Sequence, residues 1–434
     1  MPKQPKEKFT RYQVFVIVIL AILQFTVVLD FMVLAPLSPI VMKEMGFTAP
    51  QFASVVSAYA FSAFASGMLA AGFADKFDRK RLLLFFYGGF ILGTLFCALS
   101  STFGQLLAAR IVTGLFGGVI GSISYAIIGD LFKMEVRGRV MGVVQTAFSA
   151  SQILGIPVGL YLANAFSWNV PFFVIVGFSL VVAVPVFIYL RPITSHIAAN
   201  KGRNAFIHLW KTLTNSNYAR GFLATTLLAT GGFMLMPFGS NYATHNLGIS
   251  LKDLPFLYAI TGMFSIVFGP IVGRLSDQIG KFRMFVIGSC ITITIVSIYT
   301  NLTFSPFWLV VLLNVILFAG ISGRMISAQA LLTAVPKPQD RGAFMSINAS
   351  IQQLSGGVAA MFAGVIVYQS KDGIMHNYPI LGLVVVISMV IAIFLMRMLD
   401  RMIKRNPAGQ AATPIPEADK AESDLLDQDL PGVI

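Results

Sequence analysis

The sequence has little charge. Only 11% of its 434 residues are Asp, Glu, Lys or Arg, while 56% are hydrophobic and the mean hydropathy is +0.79. A water-soluble domain is about a quarter charged, so an ordinary soluble fold is excluded. Cysteine is scarce: Cys97 and Cys290 are the two, and both fall inside apolar stretches. That placement makes them packing residues rather than a disulfide or a metal pair. The four histidines have no metal-ligand spacing, so neither a metal nor a cofactor is expected. There is no Gly-x-x-x-x-Gly-Lys-(Ser/Thr) loop, which argues against an ATP-driven pump. No His/Asp/Glu cluster or nucleophile constellation is present either, so an enzyme is not expected.

Long apolar runs are what the chain has instead. Twelve can be counted, at 14–37, 51–74, 82–101, 104–128, 139–165, 170–190, 220–243, 252–275, 284–302, 306–334, 343–368 and 377–399. A membrane helix needs about 20 apolar residues. Backbone in lipid must bond internally, so runs of this length are helices. The expected fold class is therefore an all-α membrane protein with twelve transmembrane helices. The first run follows Lys3, Lys6, Lys8 and Arg11, as a signal peptide would. It is too long for a signal core and contains Asp30, so it reads as a retained helix.

The few charges are unevenly placed. If both termini are cytoplasmic, the outside connections carry only Lys43, Lys252 and Lys371, whereas the inside segments carry 25 basic residues near the membrane. This asymmetry predicts the orientation. It also accounts for the net charge of +13 without nucleic acid, since basic loops lie against an anionic leaflet. The tail is different: 407–434 holds six acids and no apolar periodicity, and disorder is expected there. "NLT" at 301–303 fits a glycosylation acceptor, a pattern short enough to arise by chance.

The most charged stretch, "GFADKFDRKR" at 72–81, recurs after the eighth run as "GRLSDQIGKFR" at 273–283. Asp75 and Asp277 are 202 residues apart; Arg137 of "VRG" and Arg341 of "DRG" are 204 apart. Two six-helix halves thus repeat in parallel, as in a transporter with its site at mid-membrane between the halves. The expected organisation is a cytoplasmic N-terminus (1–13), a first bundle (14–190), a cytoplasmic linker (191–219), a second bundle (220–399) and an acidic tail (400–434).

On these motifs the chain resembles the major facilitator superfamily over everything except the tail. The loop signature of that family is Gly-x-Leu-Ala-Asp-(Arg/Lys)-x-Gly-(Arg/Lys)-(Arg/Lys). The second copy matches it at Gly273, Leu275, Asp277, Gly280 and Lys281. The first keeps Asp75, Lys76, Arg79 and Lys80, but Ala71 and Asp78 stand where glycines belong. "VLDFMVLAPLSPIV" (28–41) and "ARIVTGLFGG" (109–118) resemble helix-one and helix-four motifs of proton-coupled efflux members. "LGIPVGLYLA" (154–163) resembles a broken form of the antiporter Gly-Pro motif. With "FDRKRLLL" and "AYAFSAFASG", that form is similar to the sugar or arabinose efflux permeases. The resemblance implies a clamp on the cytoplasmic face. Asp75 would face the N-terminus of the eleventh helix, and Arg79 would pair with Asp130. Asp277 and Lys281 would form a weaker second copy, because Ala334 stands where Asp130 has its counterpart.

Three charges lie deep in the runs: Asp30, Arg110 and Arg324. Charge at such depth marks a pathway. Asp30 and Arg110 sit at similar depth, about 10 Å and 9 Å from the outer ends of their helices, so a pair is expected. It is either a static packing contact or a proton carrier tuned by its arginine; burial opposes the ionised carboxylate and the guanidinium favours it. Arg324 has no acid at its depth, which suggests an anionic or polar substrate group, or else snorkelling to a carbonyl or water. Gln145, Gln152, Asn241, Asn314, Asn348, Gln352 and Gln353 are further cavity candidates, with helix–helix glue as the alternative for each. Gly114, Gly117, Gly118 and Gly121 have the spacing of a close helix contact. The function expected is proton-coupled efflux of a small organic solute (a drug, sugar or metabolite) by a monomer in a bacterial inner membrane. The partners are that solute, protons and lipid, with no nucleic acid. An uptake symporter and a non-transporting sensor are the alternatives.

Overall fold

The computed structural model describes residues 9–73, 76–132, 134–194, 197, 205–337, 340–370 and 372–405. Among them are twelve helices long and apolar enough to cross a membrane. They are α1 (Arg11–Val33), α2 (Ala49–Phe73), α3 (Arg79–Leu99), α4 (Phe103–Leu131), α5 (Met134–Ala150 continuing through Ser151–Gly155 and Ile156–Ala165) and α6 (Val170–Tyr189). The second set is α7 (Ser216–Leu235, then Met236–Phe238 and Gly239–His245), α8 (Leu254–Ile279), α9 (Lys281–Tyr299), α10 (Phe307–Thr333), α11 (Arg341–Ile366) and α12 (Tyr378–Arg405).

Local chemistry explains the departures from the expected spans. Thr10 and Gln13 form a reciprocal capping box, so α1 begins at Arg11 rather than 14. It stops at Val33, because the chain turns at 34–37 into a short helix, Ser38–Met45, with Pro39 in its first turn. α5 is continuous but widens into a single π turn at Ser151–Gly155, just before Pro157. α7 tightens into a 3-10 turn around Pro237, which cannot donate a helical bond. α12 runs on to Arg405, so 400–405, expected in the disordered tail, is helical, with Lys404 donating to Asp400 at 2.6 Å. The linker is not plain coil: it holds the helix Ala205–Leu213. A two-residue hairpin, Tyr368–Gln369 with Met375–His376, joins α11 to α12.

Within each half, small residues bring helix backbones together. A Cβ on Gly118 of α4 would stand 2.6 Å from Ala63 of α2, and one on Gly288 of α9 would stand 2.8 Å from the backbone of Gly320 and Arg324 in α10. Of the glycine run read as a contact stripe, Gly114, Gly117 and Gly118 meet α2, while Gly121 faces Gln24 of α1.

Among the described residues, three of the helix pairs along which the halves meet set the seam. In α2–α11, Ser57 Oγ donates to the Gly357 carbonyl at 2.8 Å, and Gly364 sits against Ala53. In α1–α7 the rings of Phe31 and Phe233 lie 5.8 Å apart. In α5–α8, Asn164 donates to the Leu251 carbonyl at 2.7 Å, and Gly262 packs on Ile153. Among the described residues, α8 leans on Ser151–Ala165 far more than on Met134–Ala150. The α5–α8 seam is therefore closed toward the end bearing Asn164 and parted toward the end where Arg79, Asp130 and Lys281 lie, called the basic end below.

Candidate functional site

The site in the first half is built from four helices. Asp30 lies three residues before the end of α1, where the turn at 34–37 fixes its depth. Arg110 lies two turns into α4, whose start is capped by Thr102. Arg110 Nη1 donates to Asp30 Oδ2 at 2.9 Å and to its carbonyl at 3.3 Å. Thr94 of α3 donates to Asp30 Oδ1 at 3.1 Å. The guanidinium lies over the Tyr59 ring of α2, 4.6 Å from its centroid. Asp30 is 0% and Arg110 1% exposed, so the pair is sealed in this conformation. Arg110 Nε has no hydrogen-bond partner among the described residues. Both carboxylate oxygens are occupied, which suits the ionised form, while the apolar bundle around it suits the neutral one.

A row of rings joins this pair to the other half. Tyr59 covers Arg110, Phe31 lies 5.1 Å from Tyr59, and Phe233 of α7 lies 5.8 Å from Phe31. Thr94 and Tyr59 were not among the residues singled out from the sequence. Thr94 carries no signal, being one hydroxyl in an apolar helix. Tyr59 lies in the "AYAFSAFASG" stretch that contributes to the resemblance. Cys97 is buried, as expected of a packing residue, with Sγ 3.6 Å from Thr113 Oγ1. Cys290 departs from that expectation and is exposed on α9.

The polar candidates of the second half do not form one cluster. Thr225 donates to Asn348 Oδ1 at 2.5 Å, and with Gln329 and Gln352 these line a cavity of about 20 Å³ between α7, α10 and α11. Asn241 lies at the far end, where it donates to Met42 Sδ at 3.2 Å and so ties the two halves. Asn314 donates to the Val310 carbonyl within its own helix at 2.9 Å. Arg324 is buried at 4% exposure. Gln152 and Gln353 are half-buried, and Gln145 is exposed on α5.

At the basic end, Arg79 Nε donates to Asp130 Oδ2 at 3.1 Å, with side chains 5% and 18% exposed. Asp75 lies outside the described residues. Asp78, where the family signature has glycine, caps α3: its Oδ1 accepts from the Lys80 amide at 3.1 Å and the Ile193 amide at 2.8 Å. The departure from the signature thus fastens the loop to the start of the linker. Arg137 reaches back to the carbonyls of Gly129 and Phe132 at 2.5 and 2.8 Å. Asp277 and Lys281 pair with each other along the helix end, exposed. Tyr218 of α7 donates to Asp340 at 2.7 Å, an anchor before α11 that the sequence did not suggest.

Comparison with known proteins agrees with this architecture. The chain is 25% identical over 361 residues to the MFS-type transporter YceJ of Bacillus subtilis (strain 168), covering 81% of this chain and 87% of that protein. It is 24% identical over 289 residues to Multidrug resistance protein 2 of the same organism, covering 65% and 72%. It shares the fold of a bacterial homolog of the human lysosomal transporter Spinster in its inward-facing, occupied conformation, with a TM-score of 0.70, 14% identity, and 94% and 100% of the two chains covered. The family model described as Major Facilitator Superfamily matches residues 20–360 and 221–423. The chain is a membrane transporter that belongs to the Major Facilitator Superfamily.

Proposed function

We propose that this transporter exports a small organic solute in exchange for protons, with Asp30 as the proton carrier. The observation that carries the reading is the sealed Asp30–Arg110–Thr94 cluster. A carboxylate buried this deeply and paired with one guanidinium can change its protonation only if its surroundings change. Alternating access supplies that change. The ring row from Tyr59 through Phe31 to Phe233 crosses the seam. Separation of α1 from α7 removes Phe233 from Phe31 and opens a path to the pair.

The orientation proposed places the basic end, the N-terminus and the tail in the cytoplasm of a bacterial cell. The parted end of the α5–α8 seam then faces inward, the arm of the cycle in which a proton leaves and solute enters. Similarity to a multidrug resistance protein supports export. The Arg79–Asp130 pair braces the cytoplasmic loop as the halves rock, as an intra-half strut.

The test is flux in proteoliposomes. Once a solute is in hand, Asp30→Asn keeps the shape and removes the titration. It is expected to abolish uphill, pH-driven transport and to leave binding or downhill exchange. Full pH-driven transport by Asp30→Asn would remove Asp30 as the carrier.

A further inference from the structure

The second half holds a charge that no described residue offsets. Arg324 is 4% exposed, and its Nε and Nη2 have no hydrogen-bond partner among the described residues. None of the ion pairs among the described residues includes it. An unpaired buried guanidinium opposes folding, so a bundle that carries one is expected to supply a partner at some stage of its work.

Three features say what the partner is. The two orphan nitrogens lie on one edge of the guanidinium. Their N–H bonds point the same way, and that edge matches the two oxygens of a single carboxylate. Gly231 of α7 faces the Nη1–Nη2 end of the guanidinium: a Cβ there would stand 3.3 Å from Met389 Cε, 3.8 Å from Nη1 and 3.9 Å from Nη2, so the glycine keeps that end free of a side chain. The third feature is the charge balance. About one turn toward the basic end, the small cavity between α7, α10 and α11 offers Thr225, Gln329, Asn348 and Gln352, all neutral. One positive charge with neutral neighbours suits a monoanion better than a doubly charged phosphate.

Depth agrees. Arg324 is about nine residues, ~13 Å, from the basic end of α10. Its side chain leans toward the N-terminus of the helix, as helical side chains do. The guanidinium therefore stands near mid-membrane, where two-bundle transporters hold their solutes.

We propose that Arg324 anchors the transported solute through a side-on fork to a carboxylate, so that the substrate class is organic monocarboxylates. This rests on the transporter reading above, but not on its proton coupling.

The experiment is thermal unfolding of the purified full chain with sodium benzoate, benzamide or sodium chloride at equal concentration. Benzoate is expected to raise the melting temperature, and the neutral isostere and chloride are not. Arg324→Gln should melt higher than wild type without ligand, because an unpaired buried charge is gone. It should bind benzoate about 10- to 100-fold more weakly. Arg324→Lys keeps the charge without the fork and should give an intermediate response. No benzoate response in the wild type, an equal response to benzamide, or a response that survives Arg324→Gln overturns the proposal. So does an equal response to chloride, which would make Arg324 a general anion site. The measurement is at equilibrium with no gradient. Loss of pH-driven flux in Asp30→Asn with benzoate binding intact leaves this proposal standing, and failure here leaves the antiport reading standing.

Discussion

Arg110 and Asp30 are buried together, so removing either strands the other. Arg110→Ala leaves a carboxylate at 0% exposure without its counter-charge. Breaking a buried pair in this way costs about 3–5 kcal/mol, or forces the acid to stay protonated. Both single variants are expected to melt lower than wild type, because Asp30→Asn in turn leaves a guanidinium at 1% exposure without its counter-charge. Adding Asp30→Asn to the Arg110→Ala background should restore part of the loss, and strict additivity in that double-mutant cycle would argue against direct coupling. Thr94→Val removes one hydrogen bond to Asp30 and is expected to cost about 1 kcal/mol by denaturant titration. The pair was legible because charge inside an apolar helix is conspicuous in a bare sequence. Thr94 was not, because a threonine in a membrane helix usually bonds its own backbone, as Thr113 does with the Ala109 carbonyl at 2.7 Å.

Between elements, what counts is how closely helices approach and which ends are tied. Gly118→Val puts side-chain atoms where the backbone of Ala63 lies, since even a Cβ would stand 2.6 Å away. The expected outcome is loss of folded protein on size-exclusion chromatography, whereas Gly142→Ala, where a Cβ meets nothing within 4 Å, should be silent. The Arg79–Asp130 strut is a partly buried pair, and Asp130→Asn should weaken it by about 1 kcal/mol or more. Spin labels at Val143 of α5 and Ile271 of α8, both exposed, would read the basic end of the seam. Asp130→Asn is expected to change their distance distribution, and an unchanged distribution would leave the strut without a conformational role. The glycine stripe was visible in the sequence because its spacing is periodic. The tie between Asp78 and Ile193 was not, because it joins residues more than a hundred positions apart.

At the scale of the whole molecule, sidedness and rocking are what can be tested. A cysteine placed at Phe77, in the basic loop, should be shielded from an impermeant thiol reagent in intact cells, and one at Lys252 should react. The reverse would overturn the orientation. Cys290, exposed on α9, should first be changed to Ser, whereas Cys97 is buried. At the closed end, Asn164 of α5 touches the Leu251 backbone just before α8. Linking Asn164→Cys to Leu251→Cys with a short bifunctional reagent is expected to arrest transport and to preserve the conformation described here. Undiminished flux after complete linking would mean that this end does not open.

Sequence alone settled that the chain spans a membrane twelve times and that its halves repeat. Both follow from local or regularly spaced quantities: hydropathy over about 20 residues, and loop motifs about 200 positions apart. It also named the buried charges, because desolvating a charge is costly wherever the helix packs. Tertiary structure decided which of those charges meet. Asp30 faces Arg110 because α1, α3 and α4 present their residues at one depth, whereas Arg324 is packed beside Gly231 of α7. Helix length is a property of a segment. A partner depends on the rotation and depth of at least two segments, and those are set by close packing among many.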